Sequence, residues 1–536
     1  MPTPALTVIT HSAGIADALR HHALVKKVIL IDKLLMDVDC YSKEAIGATK
    51  DGAPALTICS DVKLQIKELR ECVNDGNVII AYEPRLDGIC WAQQIGSACA
   101  FSTTDLKYVP FHSLRDTDFG FLLSHPLALP AHYPAEWFLL RMCEGTVAAN
   151  INANLVEAKL PAPFYMQNLY SLYLLYKLSV LCEQVSMPAY QLILRDKLTG
   201  MVVGEQVPAP GESGGVVDKY GFQPYALNYE DRTHAEAVLK ECTGSFVKEA
   251  VQKGECCELS PGYFPTTSRI FSHLLRNSIL PIGAIFNELY AMYASGRLLY
   301  PFGYCERTLM ELSSYMRPIL ENKKIPFSDT QSANLHGSTI STVSCIPLFN
   351  ASTSEDKTVS DYVEAMAVNA FRRNCKHIPT YDYYRNGDHY FVVRRYEFPN
   401  LNFDAKSALY KIYSNPGDPS RFGVYLHTSV AKDRIPLNTL MGFSTRSPCW
   451  IKWFIALHYL LEKGLIAIDG ESVCLTKKSA GENVSILRKL YGEIFEDPKF
   501  LTFDNIFNNV EEYNKLVTYI LAKLPKTTTT SPEILR

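Results

Sequence analysis

Polar side chains follow three apolar runs of the first 84 residues, at the points where each run ends. The runs are Leu6–Thr10, Val28–Asp32 and Val78–Tyr82, and the first one leads into the small-residue turn His11-Ser-Ala-Gly14. A helix is predicted after this turn, so a strand, a turn, a helix and a second strand fall within about 30 residues, the length of a βαβ unit. Ligands of such sheets lie at the carboxyl ends of the parallel strands. We therefore expect a nucleotide-like ligand here, with a ribose hydroxyl pair within reach of Asp32.

Over roughly residues 5 to 125, the predicted half-sheet resembles that of the Rossmann-like S-adenosylmethionine-dependent methyltransferase superfamily. The resemblance implies S-adenosylmethionine as cofactor and assigns catalysis to Glu83 or Asp87, as the base that deprotonates the methyl acceptor. Its implied cofactor-binding residues are Ser12, Gly14, Asp32, Asp61 and Tyr82. The alternative is an α/β scaffold in which Asp32 and Glu83 are merely solvated strand ends.

A second pattern, over 371–396, interleaves arginines with tyrosines around the turn signal Asn386-Gly387. Arginine supplies phosphate contacts, and tyrosine rings offer faces on which unpaired bases stack. The pattern predicts a hairpin that binds single-stranded RNA through Arg372, Arg373, Tyr383, Arg385, Tyr390, Arg394 and Arg395. The alternative is a structural sheet in which tyrosines pack inward and arginines stay solvated.

A third pattern, over 447–478, resembles a winged-helix unit. An amphipathic helix from Trp450 to Lys463 ends at Gly464, and a hairpin is predicted around Asp469-Gly470. Winged helices bind nucleic acid or dock proteins, so a protein partner is also expected at this unit.

Composition limits the remaining possibilities. Hydrophobic residues make up 47% of the 536 residues and charged residues 20%, which is typical of a folded chain, and the net charge of −3 makes no global commitment to nucleic acid. The 15 cysteines show no CxxC spacing, and no HExxH motif occurs, so no metal site is predicted. We expect reduced thiols in a cytoplasmic or nuclear protein.

Secretion and membrane insertion are not expected. The first strand follows Met1 too closely to leave room for a signal peptide. The best membrane candidate, Phe164–Cys182, carries Gln167, Asn168 and Lys177, which suits a buried helix better than a membrane span.

The predicted fold class is α/β, with an N-terminal Rossmann-like domain, a mainly helical middle region and a C-terminal α+β winged-helix-like unit. The predicted units are a Rossmann-like domain (1–150), a mainly helical domain (151–327), a linker or loop (328–360), the Arg/Tyr-rich hairpin region (361–406), a winged-helix-like domain (407–523) and a flexible tail (524–536).

Together these patterns predict an RNA-modifying methyltransferase, or a catalytically degenerate methyltransferase-like subunit that binds RNA. Whether the chain is an enzyme stays open at this point. One alternative is a non-enzymatic structural or assembly protein, for example of a virus, whose tyrosines and prolines serve interfaces. Another is a nucleotide-binding enzyme of a different type built on the same half-sheet.

Overall fold

The computed structural model describes only part of the chain, and all statements below concern that part. The described residues are 6–33, 35–38, 56–59, 62–73, 77–99, 106–127, 129, 155, 157–160, 169–185, 188–198, 200–210, 215–218, 221–259, 267–277, 280–302, 306–307, 309–322, 325–326, 340–341, 357–372, 375–399, 418–430, 434–441, 450–469 and 472–496.

A four-stranded parallel sheet occupies the N-terminal region. The elements up to residue 124 are β1 (Leu6–Thr10), α1 (Ala13–Leu19), β2 (Val25–Leu30), β3 (Met36–Val38), β4 (Leu56–Ile58), α2 (Lys63–Val73), β5 (Val78–Tyr82), α3 (Leu86–Cys99), β6 (Lys107–Pro110) and α4 (Asp116–Ser124). The strand order is β2-β1-β5-β6, and all three pairings are parallel. All five residues of β5 are buried, as expected for a central strand covered on both faces.

The predicted strand, turn, helix and strand order is confirmed in this sheet. Gly14 is the second residue of α1, and Asp32 follows the end of β2 by two residues. The apolar run 55–59 predicts a further strand, and this strand exists as β4, but it pairs antiparallel with β3 and lies outside the parallel sheet.

The described residues from 169 onward combine helices with a larger sheet. Its elements are α5 (Leu169–Glu183), β7 (Ala189–Asp196), β8 (Val202–Val207), β9 (Gly215–Asp218), β10 (Gly221–Pro224), α6 (Arg232–Glu241), β11 (Val247–Lys253), β12 (Cys257–Leu259), α7 (Thr267–Asn277), α8 (Ile282–Ala294), β13 (Glu306–Arg307), α9 (Leu309–Asn322), β14 (Ile340–Ser341), α10 (Lys357–Phe371), β15 (Cys375–Asn386), β16 (His389–Glu397), β17 (Phe422–Val430), β18 (Arg434–Pro436), α11 (Leu437–Met441), α12 (Trp450–Glu462), β19 (Ile466–Asp469), β20 (Ser472–Leu475) and α13 (Glu482–Phe495).

The larger sheet is antiparallel, with the order β11-β15-β16-β8-β7-β17 and β12 paired to β15. The region predicted to be mainly helical, 151–327, therefore contributes strands to a sheet that also contains strands of the predicted hairpin region, 361–406, and of the predicted winged-helix-like domain, 407–523. The sequence pattern over 234–253 predicts a single helix, but the structure has the helix α6 followed by the edge strand β11. Lysine, glutamate and alanine favour helix in β11, but pairing with β15 overrides that propensity.

The Gly- and Pro-rich composition of residues 203–224 predicts a loop, yet this segment contributes most of β8 and all of β9 and β10. The reason at Gly204 is steric. An added Cβ there would lie 2.3 Å from the carbonyl oxygen of Val392 on the neighbouring strand β16. Glycine thus permits a close approach of two strands here and does not mark a loop.

The predicted hairpin over the Arg/Tyr region is confirmed as β15 and β16, but its loop is shifted by one residue. Asn386 pairs with His389, so Gly387 and Asp388 form the loop, with Gly387 at φ +61°. The Asn386 side chain instead bonds the backbone of Gly244, accepting from its N–H at 3.2 Å and donating to its carbonyl at 2.7 Å.

The C-terminal helix and hairpin are also as predicted. Gly464, at φ +65°, follows α12, and β19 and β20 form an antiparallel hairpin whose second strand also pairs with β18. The predicted tail, 524–536, lies outside the described residues, as do most of the predicted linker and the boundaries near 150, 406 and 523. The last residues of that linker belong to α10.

The long helix α8 joins two hydrophobic cores. Ile285 and Leu289 pack in the helical core with α5, α7 and α12, whereas Tyr293 packs against the parallel sheet beside Val8 and Ile79. No helix in the described part of the chain is long and apolar enough to cross a membrane.

Candidate functional site

A buried carboxylate, Glu83, collects three hydroxyl groups at one end of the parallel sheet. Its Oε1 accepts from Ser12 Oγ at 2.7 Å and from Tyr290 Oη at 3.3 Å, and its Oε2 accepts from Tyr300 Oη at 2.7 Å. The Ser12 and Tyr290 hydroxyls lie 3.4 Å apart. Glu83 is 4% exposed, so these hydroxyls replace water as its hydrogen-bond partners.

The ends of two adjacent parallel strands position the first half of this cluster. Ser12 comes two residues after β1 and caps α1, where its Oγ accepts from the N–H of Ile15. Glu83 comes directly after β5, and α3 begins three residues later. Gly88 permits this tight connection, because a Cβ at that position would lie 2.2 Å from the carbonyl oxygen of Glu83.

Helix α8 and the turn after it supply the tyrosines. Tyr290 lies on α8 beside Gly14, where an added Cβ would come within 3.0 Å of the tyrosine hydroxyl. Gly296, at φ +68°, reverses the chain after α8, and the N–H of Tyr300 then donates to the carbonyl of His112 at 2.8 Å. These contacts hold both tyrosines against the sheet.

Arg85 places a cation beside the carboxylate. Its Nε lies 3.4 Å from Oε2 of Glu83, and its side chain is 38% exposed. Desolvation opposes the positive charge, but the nearby Tyr300, Glu83 and Asp87 raise the pKa of Arg85, so the guanidinium stays charged.

The His11 side chain lies beside Glu83 and is largely removed from solvent. Its ring stacks obliquely on Trp91 at 4.9 Å between centroids, and its side chain is 11% exposed. Burial lowers the pKa of His11 to about 4 against the opposing attraction of Glu83, so the ring is neutral near pH 7. Neither ring nitrogen has a hydrogen-bond partner, and Nε2 lies 4.0 Å from Oε2 of Glu83.

These groups line one cavity of about 410 Å³, within the size range of small-ligand sites. Its apolar wall comes from Phe286 and Phe302. Burial raises the pKa of the Tyr300 hydroxyl well above its usual value, and Glu83 raises it further although Arg85 opposes this. The Tyr300 hydroxyl therefore stays protonated, and its hydrogen bond to Glu83 places beside it a carboxylate that can accept the proton when the oxygen attacks a ligand.

The structure brings together only some of the predicted site residues. Ser12 and Glu83 meet in the cluster, and Gly14 lies next to Tyr290. The others lie apart: Tyr82 packs in the hydrophobic core on the opposite face of the sheet, Asp32 and Asp87 are exposed, and Asp61 lies outside the described residues. No finding tests S-adenosylmethionine binding, which stays a prediction.

The Arg/Tyr hairpin has its charges paired within the sheet. Arg395 donates to Asp382 at 2.8 Å and to Glu397 at 2.9 Å, and Arg385 pairs with Glu249. Arginines paired in this way favour the alternative stated above, a structural sheet, over a set of arginines open to phosphate groups.

The other predicted RNA contacts are largely covered. Arg372 is buried and donates to Asn369 at 2.8 Å, and Tyr383 is buried and donates to Gln252 at 3.0 Å. The Tyr390 hydroxyl lies 3.4 Å from Glu249, the Arg394 guanidinium lies over the Tyr381 and Tyr396 rings, and Arg373 lies outside the described residues. RNA contact by this set is untested and stays a prediction.

Sequence reasoning missed Tyr290, Tyr300 and Arg85. The two tyrosines lie more than 200 residues from Glu83, in a region that reads only as a helix followed by a turn. Arg85 stands two residues after Glu83 in the sequence, but the proposed methyl-transfer site assigned no function to an arginine at this position.

No protein-family model matches the chain. No curated protein matches it in sequence. Its structure is similar to that of full-length topoisomerase I from Thermotoga maritima, with a TM-score of 0.61 and 11% sequence identity over 98% of this chain and 91% of that one. At this identity the likeness shows the fold alone.

The likeness overturns the methyltransferase resemblance. An RNA-modifying methyltransferase or a methyltransferase-like RNA-binding subunit is therefore a wrong prediction, and so is its assignment as a transferase. The error arose because a strand, turn, helix and strand unit occurs in many α/β proteins and does not specify a reaction. Over almost its whole length, the chain has a topoisomerase-like fold.

Proposed function

We propose that this protein binds DNA and cuts and rejoins a strand through a transient bond to Tyr300. The observation that carries the proposal is the 2.7 Å hydrogen bond from the Tyr300 hydroxyl to Glu83, inside a cavity that also holds Arg85. The fold shared with a topoisomerase I, a DNA-modifying enzyme, supports DNA as the substrate in preference to RNA.

The proposed reaction is a reversible transesterification. The Tyr300 oxygen attacks a DNA phosphorus, the new P–O bond to tyrosine forms, and the P–O bond to the neighbouring deoxyribose breaks. The tyrosine proton passes to Glu83, and the departing deoxyribose oxygen takes up a proton to become a hydroxyl. Rejoining is the reverse of these steps, so the reaction needs no oxidant and no energy source.

Tyr300 is a better nucleophile candidate than Tyr290. Its hydrogen bond to Glu83 is 2.7 Å, against 3.3 Å for Tyr290, whose hydroxyl is shared with Ser12. A short bond between nucleophile and base is the usual sign of an activated side chain. Tyr290 then holds Glu83 in place from the other side.

The test is capture of a covalent adduct between the protein and DNA. Single-stranded and negatively supercoiled DNA are incubated with the full chain, the mixture is denatured, and adducts are separated and mapped by peptide mass. We expect DNA on the peptide that contains Tyr300 and relaxation of the supercoiled DNA.

Tyr300→Phe is expected to abolish the adduct. Tyr293→Phe is the matched control, because the Tyr293 hydroxyl donates away from Glu83, to the carbonyl of Phe111 at 2.9 Å. An adduct of equal yield in Tyr300→Phe would refute the assignment of the nucleophile.

A second candidate function is DNA binding without strand cleavage. The observation that favours it is the closed state of the cluster: Tyr300 is 6% exposed, and both oxygens of Glu83 already accept hydroxyl protons. DNA binding in a mobility-shift assay, with no adduct and no relaxation, would select this function.

A further inference from the structure

We infer that Arg85 and His11 form a phosphate subsite, which takes a phosphodiester of single-stranded DNA and does not take a divalent cation. The inference deepens the proposed function and rests on its choice of DNA as ligand. It concerns binding, so it is measurable whether or not a strand is cut.

The donor set of the cluster does not suit a divalent cation. Mg²⁺ requires oxygen ligands in near-octahedral geometry, usually including carboxylates with free lone pairs directed at the ion. Among the described residues that line the cavity, Glu83 is the one carboxylate, and three hydroxyls already donate to its two oxygens. The described part of the chain holds no group of three or more His, Cys, Asp or Glu side chains placed to bind a metal.

Arg85 opposes a cation and favours an anion at the same place. Its guanidinium lies beside Glu83, so a divalent cation bound to that carboxylate would face a fixed positive charge within a few ångströms. The buried Nε of Arg85 makes no hydrogen bond, although it lies 3.4 Å from a Glu83 oxygen. The planar fork of an arginine matches the oxygens of a phosphate, which it binds through two parallel hydrogen bonds.

His11 supplies a second polar group with no protein partner. Both of its ring nitrogens are buried and unbonded, and the ring lines the cavity. An unpaired buried polar group costs free energy that a ligand can recover. A neutral imidazole presents one N–H donor, which suits a phosphate oxygen, and one acceptor nitrogen.

The His11 ring packs obliquely against Trp91, with the ring centroids 4.9 Å apart and an interplanar angle of 45°. Its Nε2 lies 4.0 Å from Oε2 of Glu83, the same oxygen that accepts the hydrogen bond from Tyr300. A phosphate held between Arg85 and His11 therefore lies next to the Tyr300 hydroxyl, in the position that the proposed attack requires.

Two titrations test the subsite on the full chain. Calorimetry measures the affinity for a short single-stranded oligodeoxynucleotide in EDTA and in MnCl₂, and electron paramagnetic resonance of free Mn²⁺ measures ion binding. We expect equal DNA affinity in both buffers and no tightly bound Mn²⁺. Arg85→Ala is expected to weaken DNA binding roughly tenfold or more and to reduce the salt slope by about 0.7, the value for one phosphate of a single strand.

Arg20→Ala is the matched control, because Arg20 pairs with Asp17 on the surface of α1 and does not line the cavity. It should keep the affinity of the parent. Tight binding of Mn²⁺ by the parent, DNA binding that requires Mn²⁺, or equal DNA affinity in Arg85→Ala and Arg20→Ala would each overturn the inference.

Failure of the proposed function gives a different pattern. DNA that binds through Arg85 without forming an adduct leaves the subsite intact and removes strand cleavage. A parent protein that binds no DNA overturns both.

Discussion

The Tyr300 hydroxyl donates a 2.7 Å hydrogen bond to Oε2 of Glu83 across 217 residues of sequence. It joins the turn after α8 to the carboxyl end of β5, so the helical core and the parallel sheet meet at one carboxylate. A contact of this kind is sensitive to small displacements of either element.

Replacing the Glu83 carboxylate should lower both the stability of the fold and the yield of the DNA adduct. Glu83→Gln keeps the size of the side chain but leaves a single acceptor oxygen and turns an amide N–H₂ toward hydroxyl donors. We expect a loss of about 1–3 kcal/mol in the free energy of unfolding, because buried hydroxyls lose their acceptor, and loss of the DNA adduct. Urea denaturation and adduct capture measure the two effects, and an adduct of parental yield would remove Glu83 from the proposed chemistry.

The largely buried side chain of His11 predicts how the free energy of unfolding depends on pH. The folded pKa of His11 is lowered from 6.5 to about 4, so between these values the unfolded state binds more protons than the folded state. Its contribution is therefore present above pH 6.5 and is lost as the pH falls toward 4, by roughly 3 kcal/mol in total. Denaturation of the parent and of His11→Asn from pH 7 to pH 4 should show a steeper loss in the parent. Parallel curves would mean that His11 is not buried in its neutral form.

The glycines near the site offer a matched pair. In Gly88→Ala the new Cβ would lie 2.2 Å from the carbonyl oxygen of Glu83, so the start of α3 must move, and we expect a destabilisation of about 1–3 kcal/mol. In Gly120→Ala the new methyl on the exposed face of α4 meets nothing within 4 Å, so a stabilisation of about 0.5–1 kcal/mol is expected. Thermal denaturation compares them, and an equal effect of both changes would contradict the close packing at Gly88.

The hairpin arginines should differ in their contributions to stability. Asp382 is buried, and Arg395→Ala leaves its carboxylate with Lys248 as its remaining cation. We expect a destabilisation of roughly 2–4 kcal/mol, since an incompletely paired buried charge is costly. The pair of Arg385 with Glu249 lies at the surface, so Arg385→Ala should change the unfolding free energy little. A similar small change for both would show that the Asp382 pair is not sealed from solvent.

Elements that depend on neighbouring residues were predictable from sequence. The hairpin of β15 and β16 joins two strands through two loop residues, and the hydrophobic run of β5 carries its own signal of burial on both faces. The local sequence of β11 predicts a helix, because the strand with which it pairs, β15, lies far along the chain. Glu249 and Arg385, which pair across these strands, are separated by 136 residues. No local pattern encodes such a pairing.

The same division applies to the site. The positions of Ser12 and Glu83 at the ends of strands follow from the order of apolar runs and turns, which is a local property of the chain. That these ends face Tyr290 and Tyr300, and share a cavity with Arg85 and His11, depends on contacts between distant segments. Side-chain chemistry depends on distances of a few ångströms, and those distances are set by how α8 packs against the parallel sheet.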